Sequence, residues 1–396
     1  MFAVLGLLPA LLPGQQAYRY LSLEHFTNTY CGICASQNPT LHNTLAAQPG
    51  IWHHISYHPS IPYQNCTLYQ HNPVENEARR TFYNVGGTPK LYLWGTSSAA
   101  GGVLLPQAKI DQFKGQEALV GVTVVETPKP AGYDVEVRLR TYGEPPVGNY
   151  RLFVAVAEKL LPFNAPNGET EHHNVFRKML PGVEGQAVTL PAPGTAATYT
   201  FSYEFDATWN TAEIYVVAFV QNMDNKEVLN SGTRYDLRLG LSATAADTTG
   251  GSATVQVTGG QPPYDIAWSD ALAQTGETAT GLAAGTYRVR VTDAAGVFAE
   301  DTVVVPAALA LADPLPMGWR VYPNPVGEVL TLDFGSGLPA PLAFEVLNLQ
   351  GQPVLRGQVP AGQQRAQPSL AGLPAGSYIL LLRTPAQVYR QRIVRY

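Results

Sequence analysis

Two of the chain's three cysteines stand two residues apart, in Cys31-Gly32-Ile33-Cys34. Thiols at this spacing can close a small disulfide ring. An alternating apolar stretch, 18–26, precedes them and a helical pattern follows, so the first sulfur is expected at a helix start. There the unpaired backbone N–H groups and the positive end of the helix dipole favour thiolate over thiol. The same spacing is half of a zinc site, but no second Cys-x-x-Cys or spaced Cys/His pair follows it. Cys31 and Cys34 are therefore the candidate redox pair, and no metal or cofactor is expected.

Other residues near this pair carry chemistry of their own. Cys66 is the odd thiol, expected to be unpaired and partly buried, with pairing to Cys31, Cys34 or a partner protein as the alternative. His53, His54, His58 and His71 surround it in sequence. Adjacent strand residues point to opposite faces, so His53 and His54 cannot converge on one metal ion. Glu169, Glu171, His172 and His173 form a second acid–imidazole group, which we read as a loop held by hydrogen bonds. His25, on the strand before the cysteines, is either a proton exchanger or a packed core histidine. Glu24 beside it should face the other way.

The elements that must position these residues alternate between strand and helix. The pattern predicts strands at 18–26, 51–58 and 91–94 and helices at 34–47 and 75–83, an α/β unit around a central sheet. Beyond it, strands are expected at 133–142, 150–158, 199–205 and 213–221, a β-sandwich. Within that stretch, 161–185 reads as an irregular polar insertion bracketed by Pro162 and Pro181. Short strands follow at 253–257, 264–268, 285–293 and 301–305, and 329–334 opens a last β unit.

Composition agrees with this division. The chain of 396 residues is too long for one core, and only 14% of residues are charged, against 37 Gly and 32 Pro. This is turn-rich β composition. The net charge of −5 is too mild to suggest nucleic acid or an anionic membrane surface as a partner. The opening MFAVLGLLPALLPGQQA has the length and smallness of a secretory leader and is too short to span a bilayer. No other segment is long and apolar enough to do so. We expect a leader at 1–17, the α/β unit at 18–100, the sandwich at 101–240, a third unit at 241–310, a linker at 311–318 and a final unit at 319–396. The third is acidic and the last basic, with seven Arg against three acids.

Four resemblances add to this reading. The first unit resembles the thioredoxin fold through Cys31–Cys34, through Pro39 where such helices carry a kinking proline, and through Thr88-Pro89 before an apolar strand. The last implies a cis Pro89 beside the cysteines, exposing backbone to which an extended peptide can pair. It further implies that Cys31 attacks a disulfide and Cys34 resolves the mixed intermediate. Tyr30 and His25 stand where that fold usually has Trp and a buried acid. Residues 18–240 resemble the Bacteroidetes twenty-eight-kilodalton outer-membrane-protein-like family through LEHFTNTYCGICASQNP, VGGTPKLYLWG, FNAPNGETEHHNVFRKMLPGVEGQ and VVAFVQNMDNKEVLN. The third unit is similar to the SprB-type adhesin repeat, through GGQPPY, Trp268, LAAGTY and VTDAAG, which implies an immunoglobulin-like spacer or binding module. The last unit resembles the type A C-terminal sorting domain of the type IX secretion system, through Val321-Tyr322-Pro323-Asn324-Pro325, FEVLNLQG and LPAGSYI.

The expected protein is thus multidomain and mainly β, with an N-terminal α/β thioredoxin-like unit followed by β-sandwich domains. Its expected partners are the type IX translocon and sorting peptidase, acting on 319–396, and a surface protein or glycan ligand. The sequence favours a cell-surface structural or binding protein with a stabilising Cys31–Cys34 disulfide. The alternative is an extracytoplasmic thiol–disulfide oxidoreductase. Export makes the oxidised pair the default state in either case.

Overall fold

The structure, a computed structural model, describes residues 16–97, 103–247, 250–307, 315–348, 352–384 and 387–396. The leader expected at 1–17 lies almost wholly outside these residues, as does the first half of the expected linker. The chain is mainly β and divides into two compact units, Met1–Thr244 with Gly251–Val305, and Ala245–Gly250 with Pro306–Tyr396.

In the first unit, strand Leu21–Phe26 leads into helix Gly32–Ala46 and returns in parallel as Trp52–Tyr57. Helix Pro73–Tyr83 follows, then Lys90–Leu93 and Thr96–Ser97, both antiparallel to their neighbours. The first helix buries Cys34, Asn38, Leu41 and Leu45, an i, i+3, i+4 stripe that fixes which face meets the sheet. Pro39 lies inside it. The second helix starts with Pro73 just after the Asn72 cap and ends at Asn84, whose left-handed backbone (φ 53°) suits asparagine. A short helix, Thr67–His71, and another, Gln107–Phe113, were not legible in the sequence pattern.

The sheet does not stop at this α/β stretch. Its order runs Val228–Gly232, Ile214–Asn222, Tyr150–Pro162, Glu171–Leu180, Trp52–Tyr57, Leu21–Phe26, Lys90–Leu93, Thr96–Ser97, with Gln186–Val188 also pairing Tyr150–Pro162. Strand Glu171–Leu180 corrects the expectation of an irregular insertion at 161–185. Two physical reasons hid it. A bulge between Phe176 and Lys178 shifts its register and breaks the period-2 pattern. Its buried side chains also include polar ones satisfied by partners: Arg177 Nε donates to Glu158 at 2.9 Å, and Asn174 accepts from the Tyr215 hydroxyl at 2.7 Å. The strand covers the edge of Trp52–Tyr57, joining it in parallel at Val175 opposite Ser56.

Strand Tyr150–Pro162 is buried on both faces. Leu152, Val154 and Val156 meet Val122, Val124, Val135, Val137 and Leu139 of a three-stranded sheet ordered Ala196–Glu204, Gly132–Thr141, Val120–Lys129. Phe153, on the opposite face, lies under Arg79 of helix Pro73–Tyr83. Two further three-stranded sheets are ordered Arg238–Asp247, Gly250–Thr258, Thr278–Leu282 and Tyr264–Trp268, Gly285–Asp293, Phe298–Val305. The buried Trp268 anchors this part, donating from its indole N–H to Gly276 at 2.9 Å. Its ion pair between Asp301 and Arg140 (2.9 Å) and the edge contact of Phe298 with Tyr18 tie it to the rest of the unit.

The second unit has a sheet ordered Pro353–Val359, Leu342–Leu347, Gly376–Arg383, Val388–Arg395 and a smaller one ordered Arg320–Tyr322, Thr331–Asp333, Arg365–Ala366. Val326, Leu330, Leu332, Leu342, Val346, Leu380 and Ile393 form its core.

Candidate functional site

Cys31 caps the helix Gly32–Ala46 and is disulfide-bonded to Cys34. Its sulfur accepts the Cys34 backbone N–H at 3.0 Å and lies 3.6 Å from the Thr88 carbonyl oxygen. The Thr88–Pro89 peptide is cis. The three residues singled out in the sequence, Cys31, Cys34 and Pro89, are therefore brought to one place. Cys34 is fully buried, Cys31 retains 4% exposure, and Ile33 beside them is 62% exposed. Across from the pair, Gly86 and Gly87 are exposed, with open space where a Cβ would stand. Of the two cysteines, Cys31 is the less enclosed.

Several residues hold the cysteine turn, and sequence reasoning missed most of them. The Asn28 amide donates to the carbonyls of Pro59 (3.1 Å), Ile61 (3.2 Å) and Tyr63 (2.9 Å), while its own carbonyls take the N–H groups of Tyr30 and Cys31. Asn167 donates from its side chain to the Cys31 carbonyl (3.1 Å) and from its backbone to Thr29 (3.0 Å). Glu169 accepts from Asn167 (2.6 Å) and from Asn38 on the helix (2.7 Å). The loop before strand Glu171–Leu180 thus braces the cysteine turn, and Glu169 serves as a hydrogen-bond hub. His172 donates to the Phe163 carbonyl at 3.1 Å, while Glu171 is exposed. The only sequence signal was the distinctive run FNAPNGETEHHN itself.

Cys66 is free and completely buried, more so than expected. The Thr29 hydroxyl donates to its sulfur at 3.1 Å, and Leu68, Val175 and Tyr30 pack around it. The histidines near it in sequence are dispersed. His53 bonds Ser231 and Asp236, and His71 accepts from the Trp209 indole N–H. Among the described residues no group of His, Cys, Asp or Glu is arranged to hold a metal ion.

His25 lies on the face of the sheet that meets the cysteine helix. It is completely buried, and neither ring nitrogen has a partner among the described residues. Its ring stacks on His54 at 5.5 Å, His54 meets His42 at 6.1 Å, and His42 meets His173 at 4.1 Å. Burial pushes His25 down to about 3 and, with help from the neighbouring imidazoles, His42 to about 3; His54 is held well below its usual value. The row is neutral at neutral pH. Glu24 faces the opposite side, as alternation requires, in a two-point ion pair with Arg79.

Two segments of the chain match known protein families. Residues 76–234 match the family described as Outer membrane protein Omp28, and 320–395 match the Secretion system C-terminal sorting domain. The first match lies within the longer span, 18–240, that resembled the same family in sequence. No curated protein matches the chain. HBP35 of Porphyromonas gingivalis is similar to 74% of this chain over 100% of its own, at 17% identity and a TM-score of 0.48. Extracellular domains 3–5 of Drosophila OTK cover 69% of this chain with 96% of theirs, at 13% identity and a TM-score of 0.20. With TM-scores below 0.5, neither likeness defines the fold. The two family matches identify an exported protein of the cell surface or outer membrane of a Bacteroidetes-type bacterium, carrying an Omp28 outer-membrane-protein segment and a type IX C-terminal sorting domain.

Proposed function

We propose that the N-terminal part of this surface protein is a thioredoxin-like domain whose Cys31–Cys34 disulfide exchanges with protein thiols. One observation carries the reading: the Cys31 sulfur sits at a helix N-terminus, 3.0 Å from the Cys34 N–H and 3.6 Å from the carbonyl of a cis Thr88–Pro89 peptide. The strand order Trp52–Tyr57, Leu21–Phe26, Lys90–Leu93, Thr96–Ser97, parallel in its first pair and antiparallel after it, supports the same assignment. The sorting domain supports presentation of this site to the type IX machinery and then at the surface. We assign 241–310 as an adhesin-type repeat, on its two three-stranded sheets and buried Trp268.

The sequence favoured a purely stabilising disulfide, because Tyr30 and His25 stand where the thioredoxin fold usually has Trp and a buried acid, and no electron donor is obvious outside the cell. We read the exchange as running in the oxidising direction, which needs no electron donor. A substrate thiolate attacks the Cys31 sulfur, the Cys31–Cys34 bond breaks, and Cys34 leaves as thiolate and takes up a proton. The second substrate thiol loses its proton and attacks the first substrate sulfur, releasing Cys31. The substrate loses two electrons and two protons and becomes a disulfide, while the protein pair is reduced. A small-molecule disulfide such as oxidised glutathione restores the pair by the reverse steps.

Single-cysteine variants test this. Reduced Cys34→Ser protein, given oxidised glutathione, is expected to form a lasting mixed disulfide at Cys31, read by intact mass. Cys31→Ser is expected to react at least about tenfold more slowly, because its remaining thiols, Cys34 and Cys66, are both enclosed. Equal labelling of the two variants, or none in Cys34→Ser, contradicts the proposal.

A further inference from the structure

We infer that a cavity in the first compact unit, remote in function from the cysteines, is a binding site for a neutral saccharide ring. The cavity measures about 290 Å³ and is walled by Trp52, Lys159, Tyr215, Tyr235 and Asp236 from one part of the unit and by Gln261 and Asp293 from Gly251–Val305. That is the lower end of the volume range of small-molecule pockets. The site is independent of the proposed disulfide exchange.

The charge distribution decides the ligand class. Asp236 already accepts from His53 (2.9 Å), from the Thr233 N–H (2.8 Å) and from the Thr233 hydroxyl (2.8 Å). Asp293 accepts the backbone N–H groups of Gln261, Ala295 and Val297, each at 2.9 Å. Both carboxylates are engaged by their own chain, so neither calls for a cation, and Lys159 in the same wall repels one. An anion in turn meets two carboxylates. A neutral ligand avoids both costs.

Hydrogen-bonding groups remain for it. The Lys159 ammonium and the Gln261 amide have no hydrogen-bond partner among the described residues, and the Tyr235 hydroxyl accepts from Arg234 while keeping its own proton to donate. Tyr235 is 47% exposed, with the Lys159 ammonium 5.4 Å from its ring centre, and Trp52 is half-buried, so aromatic surface and polar groups share one wall. A pyranose has the matching form, an apolar C–H face edged by hydroxyls that both donate and accept. Hydrolysis of the bound sugar is not part of the inference. Ser231, His53 and Asp236 are linked by hydrogen bonds of 2.8 and 2.9 Å in the manner of a hydrolase triad, yet Ser231 is completely buried and absent from the cavity wall.

The test uses the full chain and saturation-transfer NMR with glucose, galactose, N-acetylglucosamine, maltose and cellobiose. At least one is expected to bind with a dissociation constant on the order of 1 mM or tighter. Tyr235→Ala and Lys159→Ala, both exposed positions whose loss leaves the core intact, are each expected to weaken it by roughly tenfold. Val147→Ala, fully exposed elsewhere, should leave it unchanged. No binding across the five sugars, or binding that survives both cavity variants, overturns the inference.

Discussion

Replacing Arg79 with leucine is expected to destabilise the first compact unit by about 3–5 kcal/mol, because it leaves a buried carboxylate without its counter-charge. Glu24 and Arg79 are each only 3% exposed. Arg79 donates to both oxygens of Glu24, at 2.7 Å and 2.6–2.9 Å, and the Tyr83 hydroxyl adds a bond of 2.6 Å. Gln221, on strand Ile214–Asn222, accepts from Arg79 and donates to Tyr83, so the network joins the α/β stretch to the sandwich strands. The guanidinium also lies 4.7 Å from the Phe82 ring and 4.8 Å from Phe153. Burial works against its charge, but Glu24 and the neighbouring tyrosines outweigh that and hold its pKa above the ordinary value. A loss of this size is a large share of the roughly 5–15 kcal/mol that keeps a domain folded. Glu24→Leu combined with Arg79→Leu should be much milder than Arg79→Leu alone, since no lone charge remains. Urea unfolding followed by circular dichroism checks both, and a single-variant cost below about 1 kcal/mol contradicts the account.

Acid is expected to be nearly as damaging. His25 and His42 have folded pKa values of about 3, lowered first of all by burial. In the unfolded chain an imidazole titrates near 6.5, so below that pH the unfolded state binds more protons than the folded one. Stability is therefore complete above about pH 6.5 and falls as pH drops toward 3, by about 1.4 kcal/mol per pH unit for each such histidine. Between pH 6.5 and 4.5 the two together cost on the order of 4–5 kcal/mol. His54 and His58, also lowered by burial, act in the same direction. Glu126 opposes them, since burial raises its pKa. Urea midpoints at pH 7 and pH 5 measure the slope. Wild type should lose stability across this interval, and His25→Leu should lose less. A pH-independent midpoint, or an unchanged slope in the variant, contradicts the neutral histidine row.

Much of this was legible in sequence where local chemistry and periodicity agree. The cysteine spacing, the strands Tyr264–Trp268 and Gly285–Asp293, and the opposite orientation of Glu24 and His25 follow from turn residues and two-residue alternation. Strand Glu171–Leu180 was not legible. Its inward positions carry Asn174 and Arg177, which are tolerated only because His54, Tyr215 and Glu158, distant in sequence, satisfy them. The brace of Asn167 and Glu169 on the cysteine turn escaped for a related reason. It spans more than a hundred residues, and nothing in local pattern announces such a contact. The cavity walled by Trp52, Tyr235 and Gln261 likewise exists only once distant strands are assembled.

The brace bears on the proposed chemistry, because it holds the Cys31 carbonyl and the helix start in place. The helix N-terminus then stabilises the Cys31 thiolate, favouring the reduced form and making the disulfide a readier oxidant. The most direct measurement is the reduction potential of Cys31–Cys34, obtained by equilibrating the full chain with glutathione redox buffers and trapping free thiols. Thiol–disulfide exchange predicts a value between about −120 and −270 mV, the range of dedicated exchange proteins. A value below about −300 mV, where stable structural disulfides lie, would contradict it and leave the pair as a brace of the exported fold.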